Sequence, residues 1–152
     1  MTAWRDGINN VPELDAYTSA AVMSNGLVCF NSSIDVQILS LVSECVTPNG
    51  ATATTIQWSI TPTGLVATTI SGASATLANA ILGTTVALDG TALSTAPNIY
   101  PNGVGLGQVA RGIMMQAGAL SLVVGVGTTT GTWKHYLRYR PMEAGAVITP
   151  AF

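Results

Sequence analysis

Alternating apolar and polar positions along the chain predict β-strands. In "TTIQWSIT" (54–61) and again in "LSLVVGV" (120–126), every second residue is apolar. A period of two is that of a half-buried strand. Both segments are therefore predicted to be strands that supply core residues, namely Trp58, Ile60, Leu122 and Val124. Segments rich in Thr, Val and Ile favour further strands near 20–30, 65–70, 84–89 and 110–116.

Turn signals separate these segments. Asn-Gly occurs three times and Asp-Gly twice in the chain. Both pairs tolerate the positive φ angles that tight hairpin turns require. The combination of short strands and tight turns predicts an all-β chain, and "MMQAGALS" is predicted to be a hairpin tip with Gly118 as its flexible residue.

Two segments are ambiguous in pattern. In "SIDVQILSLVSECV" (33–46) the alternation slips at Leu39, and helical spacing fits as well. We predict a bulged or doubly buried strand there, because strand formers dominate its surroundings. In "ASATLANAIL" (73–82) we predict one short helical turn.

A length of 152 residues indicates one domain. The first 16 residues differ from the rest, since they hold four of the twelve charges and an isolated Trp4 without strand alternation. We therefore predict an irregular N-terminal arm over residues 1–16 and a β domain over residues 17–152. Trp4 is a candidate partner-binding residue, because a large aromatic in a polar segment needs a pocket outside that segment.

Charge is scarce in this chain. Asp, Glu, Lys and Arg make up 8% of the residues, hydrophobic residues make up 48%, and the mean hydropathy is +0.46. Soluble chains usually carry about 25% charged residues, and a free monomer with so few is poorly protected against self-association. We therefore expect much of the surface to be covered by other subunits, as in a homo-oligomer.

Other partners and locations are disfavoured. The most apolar stretch, "AGALSLVVGVG" (117–127), is too short and glycine-broken for a membrane helix, so no membrane partner is expected. A net charge of −2 disfavours nucleic acid as the main partner. The acids lie mostly in the N-terminal half and the bases mostly in the C-terminal half, which chance or head-to-tail docking of subunits could explain. Cys29 and Cys45 are expected to be reduced and buried.

Chemistry at a catalytic or cofactor site is not expected. His135 is the only histidine, no G-x-S-x-G motif occurs, and the two cysteines lack metal-ligand spacing. The segment "NGVGLGQVARG" (102–112) contains a loose G-x-G-x-x-A pattern, but no helix follows it. We predict a surface loop there, no enzyme, no cofactor and no metal site.

The segment "WKHYLRYR" (133–140) holds three of the five basic residues. As a strand, it places Trp133, His135, Leu137 and Tyr139 on one face, which we assign to the core. The opposite face carries a cationic and aromatic set, and this set is the candidate partner-binding surface: Lys134, Tyr136, Arg138 and Arg140. Arg and Tyr are enriched at interface hot spots, whereas a merely solvated face is the alternative.

The segment "TGTWKHYLRYRPMEAGAVI" (130–148), together with "ATTIQWSITPT" (53–63) and "TISGASATLANAILGTTVALDGTALSTAPN" (69–98), resembles the decoration, or cement, proteins of tailed-bacteriophage capsids. The resemblance covers roughly residues 45–148 and rests on texture and the "YRP" ending. It implies an antiparallel β-sandwich or jelly-roll subunit on the outer capsid surface of the virion. It also implies a trimer or dimer that bridges neighbouring major capsid proteins.

The sequence therefore predicts a homotrimeric structural virion protein. One alternative is another virion component, such as a head fibre base, a tail protein or a host-binding β-domain. A carbohydrate-binding β-sandwich module is a further alternative, which would require aromatic residues clustered on an exposed face.

Overall fold

The computed structural model describes residues 12–89, 92–101 and 112–152. Over these ranges the chain forms twelve strands: β1 (Leu14–Tyr17), β2 (Ala21–Val22), β3 (Val28–Ser32), β4 (Val36–Cys45), β5 (Thr55–Pro62), β6 (Thr68–Thr69), β7 (Thr85–Ala87), β8 (Asn98–Tyr100), β9 (Ile113–Met115), β10 (Gly118–Gly125), β11 (Thr132–Pro141) and β12 (Ile148–Pro150). No helix in the described part of the chain is long and apolar enough to cross a membrane.

The strands form two antiparallel sheets that pack face to face as a β-sandwich. The seven-stranded sheet has the order β1-β11-β4-β7-β8, with β2 also paired to β11 and β9 also paired to β4. The five-stranded sheet has the order β12-β3-β10-β5-β6. The chain alternates between the sheets from β3 to β5 and from β10 to β12, and the all-β sandwich prediction is confirmed.

Both sheets contribute to one core. The eight residues assigned to the core from the sequence are all buried: Trp58, Ile60, Leu122, Val124, Trp133, His135, Leu137 and Tyr139. Phe30, Leu41 and Leu120 belong to the same buried cluster. The Trp133 indole N–H donates to Asn49 Oδ1 over 3.2 Å, so the one polar group of this buried side chain has a hydrogen-bond partner.

The ambiguous segment at 33–46 is a bulged strand, as predicted. In the pairing of β11 with β4, Arg138 lies opposite Ser40 while Tyr139 lies opposite Ile38, so Leu39 is the extra residue. The extra residue shifts the alternation by one position, so Ile38 and Leu41, three residues apart, are both buried. This shift explains why the sequence alternation slips at Leu39.

Three local predictions are wrong. The described segment 73–82 contains no helical turn; instead it follows β5 through bonds such as Ser74 N–H to the Ile56 carbonyl. Strands β9 and β10 do not form a hairpin, because they belong to different sheets. Val126, the last apolar residue of the alternating segment 120–126 and thus expected on its buried face, is exposed, since the chain leaves β10 there with a φ of 65°.

The predicted arm differs from the structure at its C-terminal end. Residues 14–16 belong to β1, which pairs antiparallel with β11 from Leu14 opposite Tyr139 to Tyr17 opposite Tyr136. A four-residue segment is too short to show a reliable alternation, and its strand state depends on pairing with β11. The rest of the predicted arm up to residue 11, Trp4 included, lies outside the described residues.

Candidate functional site

The two faces of β11 divide as the sequence predicts. Trp133, His135, Leu137 and Tyr139 are buried against the five-stranded sheet. The four predicted partner-binding residues of this strand point outward: Lys134, Tyr136, Arg138 and Arg140. Because β11 is paired on both sides, these side chains lie in the interior of the sheet's outer face, not at its rim.

Acidic side chains on the neighbouring strands, or directly before one of them, balance the charge of β11. The Arg138 Nε donates to Asp15 Oδ1 on β1 over 2.9 Å, and an Arg140 terminal nitrogen lies 3.3 Å from Glu13 Oε1. Lys134 lies directly opposite Glu44 on β4. Three basic and three acidic side chains therefore share this outer face, so the surface is not cationic in sum.

This arrangement explains the uneven charge distribution along the chain. Glu13, Asp15 and Glu44 come from the N-terminal half, and the bases of β11 come from the C-terminal half. Strands β1 and β4 flank β11 in the sheet. The two halves therefore meet within one subunit, and this pairing accounts for much of the asymmetry without chance or docking of subunits.

An exposed pair of tyrosines lies beside the ion pairs. Tyr17 on β1 is directly opposite Tyr136 on β11, and the two residues are 67% and 38% exposed. Side chains directly opposite each other on antiparallel strands are near neighbours on one face. The Tyr136 hydroxyl donates to Glu44 Oε2 over 2.8 Å, and burial, followed by this bond, raises the pKa of Tyr136.

The sequence did not identify Tyr17 as a site residue. It directly follows residues 1–16, which were predicted to be irregular, so no strand was predicted around it. The available signal was the alternation in "LDAY", in which Asp15 and Tyr17 fall on one side and Ala16 on the other. Only the pairing with β11 brings Tyr17 next to Tyr136.

A groove of about 580 Å³ lies on this outer face between β1, β11 and β4. It is lined by Asp15, Ala16, Tyr17, Ser40, Tyr136, Leu137 and Arg138. Aromatic rings, a carboxylate and a guanidinium therefore converge on one concave surface. We call it the tyrosine groove.

His135 does not take part in this groove. Its ring lies in the core with Nδ1 2.8 Å from Ser43 Oγ, and it makes edge contacts to Trp58 and Phe152 at centroid distances of 5.4 and 6.3 Å. Burial lowers the pKa of His135 to about 3. A hydroxyl beside an imidazole can form a nucleophile and base pair, but both side chains here are fully buried. We therefore assign the pair to the core.

Other candidate chemistry is sparse. Among the described residues, no group of three or more His, Cys, Asp or Glu side chains could hold a metal ion. Cys29 and Cys45 are buried and unbridged, as predicted. Most of the glycine-rich segment 102–112 lies outside the described residues.

The five-stranded sheet differs sharply from the seven-stranded one. Its five strands contain no Asp, Glu, Lys or Arg. Small or neutral side chains occupy its outward positions: Asn31, Thr55, Gln57, Thr61, Ser121, Val123 and Thr149. We call this surface the uncharged face.

The sandwich thus presents one charge-balanced polar face with tyrosines and one uncharged face. The chain matches no protein-family model, no curated protein sequence and no solved structure.

Proposed function

We propose that the chain is a structural virion protein that decorates and stabilises an icosahedral phage capsid as a homotrimer. The observation that carries the proposal is the uncharged face of the five-stranded sheet. Charged residues are depleted at interface cores, and a sheet surface without charge offers little protection against association. We therefore place this face against the major capsid protein or a neighbouring subunit.

The size of the uncharged face supports multivalent attachment. Strands lie about 4.8 Å apart and rise about 3.4 Å per residue. The five strands together hold 26 residues, which at these spacings gives a footprint of about 420 Å². A standard interface buries about 800 Å² per partner. One face alone is thus a modest contact, whereas three joined subunits gain avidity without new contacts.

Stabilisation of the shell then follows from mass action. A subunit that binds the assembled shell and not its dissociated parts lowers the free energy of the assembled state. The total effect grows with the number of occupied sites. No catalytic step, cofactor or metal enters this mechanism.

Two matched valine variants test the contact surface. Val123 lies on the uncharged face and Val22 lies on the opposite sheet, and both are partly exposed. Val123→Glu should lower binding to shells stripped of this protein at least tenfold in a co-sedimentation assay, because it places a charge in a desolvated contact. Val22→Glu is the control and should bind normally. Normal binding by both variants would contradict attachment through the uncharged face.

The residues predicted from the sequence to contact the shell need a separate test. Arg138 and Arg140 lie on the other sheet, so the double variant Arg138→Glu/Arg140→Glu should retain shell binding. If it loses shell binding while Val123→Glu does not, the shell contact lies on the seven-stranded sheet, as the residue pattern of β11 alone suggested.

The oligomeric state and the arm complete the tests. Light-scattering mass should give a trimer, and a clean monomer at micromolar concentration would refute the homotrimer.

The arm is tested by deleting residues 1–11, since a cut at residue 16 would remove most of β1. The shortened chain should keep its β circular dichroism and bind shells more weakly. Unchanged binding would remove Trp4 from the predicted contacts.

A further inference from the structure

We propose that the tyrosine groove binds a neutral saccharide, with a pyranose ring stacked on Tyr17 and its hydroxyls bonded to Asp15 and Arg138. This site goes beyond attachment to a capsid. It lies on the sheet opposite to the uncharged face, so a subunit attached through that face would leave the groove open to solvent.

The aromatic part of the groove fits the apolar side of a sugar ring. Tyr17 and Tyr136 are paired across β1 and β11, and Tyr17 is 67% exposed. The face of an aromatic ring carries negative electrostatic potential. The C–H groups on one side of a pyranose present a flat, weakly positive surface. Stacking the sugar on the ring therefore removes apolar area of both partners from contact with water.

The polar part of the groove fits hydroxyl groups. Arg138 uses Nε to bind Asp15 Oδ1, and among the described residues its two terminal nitrogens have no other bond. The Asp15 Oδ2 atom is likewise without a partner in that part of the chain. Neighbouring hydroxyls of a sugar can donate to a carboxylate and accept from a guanidinium at the same time. Ser40, opposite Arg138 on β4, adds a hydroxyl to the lining.

Charge balance selects a neutral ligand. The ion pair places one positive and one negative group side by side in the groove. A phosphate or a sulfated sugar attracted to Arg138 would also meet the Asp15 carboxylate. The surrounding face is balanced as well, with three acids and three bases. Nucleic acid and acidic peptide are therefore disfavoured, because the Asp15 carboxylate repels them. An uncharged saccharide is repelled by neither member of the Arg138–Asp15 pair.

The groove is held in shape by the sheet. Tyr136 is fixed by its hydroxyl bond to Glu44, and β11 is paired on both sides. A site on strands needs little ordering when a ligand binds. The volume of about 580 Å³ is within the usual range for small-ligand sites. Because the groove is open, we expect weak single-site binding that multivalent display strengthens.

The first experiment screens the free full-length protein on an array of neutral hexose, N-acetylhexosamine and deoxyhexose oligosaccharides, with sialylated and phosphorylated glycans beside them. We expect binding to neutral members only. The best neutral oligosaccharide is then titrated into the protein by calorimetry. Absence of any neutral ligand at millimolar concentration, or binding confined to the anionic glycans, would overturn the proposal.

Variants locate the site. Tyr17→Ala should weaken binding at least tenfold, whereas Tyr17→Phe should keep most of it, because the stacking ring remains. Asp15→Ala should also weaken binding. Tyr100→Ala, on β8 at the far side of the same sheet, is the matched control and should bind like the parent. An equal effect of the two alanine variants at Tyr17 and Tyr100 would refute the groove as the site.

Thermal unfolding of each variant guards against loss of fold, and Tyr17→Ala should keep the parent melting temperature because its side chain is exposed. No capsid enters these assays. A failed shell-binding test with normal saccharide binding would therefore reject the decoration function alone. The reverse pattern would reject the saccharide site alone.

Discussion

Acidification should destabilise the protein through His135. The ring is fully buried, and Ser43, Trp58 and Phe152, which contact it, carry no charged side chains. Its Nε2 has no hydrogen-bond partner among the described residues. A proton added there would bury an unpaired cation. Burial accordingly lowers the pKa of His135 from 6.5 to about 3.

The sign and size follow from the pKa values of the two states. Between pH 6.5 and about 3 the unfolded chain holds a proton on this histidine that the folded chain does not. The free energy of unfolding therefore falls as the pH falls, by about 1.4 kcal/mol per pH unit once the unfolded histidine is protonated. From pH 6.5 to pH 4.5 the loss is about 2–3 kcal/mol, a large share of the 5–15 kcal/mol typical of a domain.

Urea unfolding at pH 7.5, 6.5, 5.5 and 4.5 measures this loss. The control is His135→Gln, which stays neutral and can still bond to Ser43. It should be less stable than the parent at pH 7.5, yet its stability should depend less on pH over this range. Parallel pH profiles for the parent and the variant would refute the assignment of His135 as a buried neutral base.

The remaining predictions concern the core and one close backbone contact. Trp133→Ala should cost about 3–5 kcal/mol in urea unfolding, since it leaves a cavity and removes one of the two hydrogen bonds that Asn49 Oδ1 accepts; a loss under 1 kcal/mol would contradict full burial. The pKa of the Cys29 thiol is raised to about 12 by burial, so a thiol reagent at pH 8 should modify it only at the rate of unfolding, and prompt labelling of the native chain would oppose this. Gly118→Ala on β10 should lower the free energy of unfolding by about 1–3 kcal/mol, because the new Cβ would clash with the Thr61 carbonyl oxygen on β5. Unchanged stability would show that β5 and β10 can move apart at this point.

The strands with long alternation were predictable because one face of each is buried. β5 and β11 show a period of two over eight or more residues, and both Trp58 and Trp133 are in the core as predicted. When every second side chain of a strand is buried, the sequence alternates between apolar and polar residues. The bulge in β4 was predictable for the same reason, since one extra residue interrupts the apolar–polar alternation of the sequence at Leu39.

The composition of the groove was not predictable, because it depends on which strands are neighbours. Sequence reasoning identified Tyr136 and Arg138 as outward residues of β11, but Asp15 and Tyr17 come from a strand more than a hundred residues earlier. Single-sequence patterns carry no information about that pairing. The β9–β10 prediction failed for a related reason, since a local turn signal does not show whether the chain stays in one sheet.

The placement of the charges supports the proposed saccharide site more than a contribution to folding stability. The side chains of the Arg138–Asp15 pair are 54% and 66% exposed, and exposed pairs of this kind add little to stability because water already solvates both groups. Yet a chain with only twelve charges places three acids and three bases on one face. Two of the acids bind arginines, Asp15 to Arg138 and Glu13 to Arg140, and the face is neutral in sum. A neutral face with fixed donors, acceptors and exposed tyrosine rings suits an uncharged polar ligand, and this is why we attribute the charge cluster to the tyrosine groove.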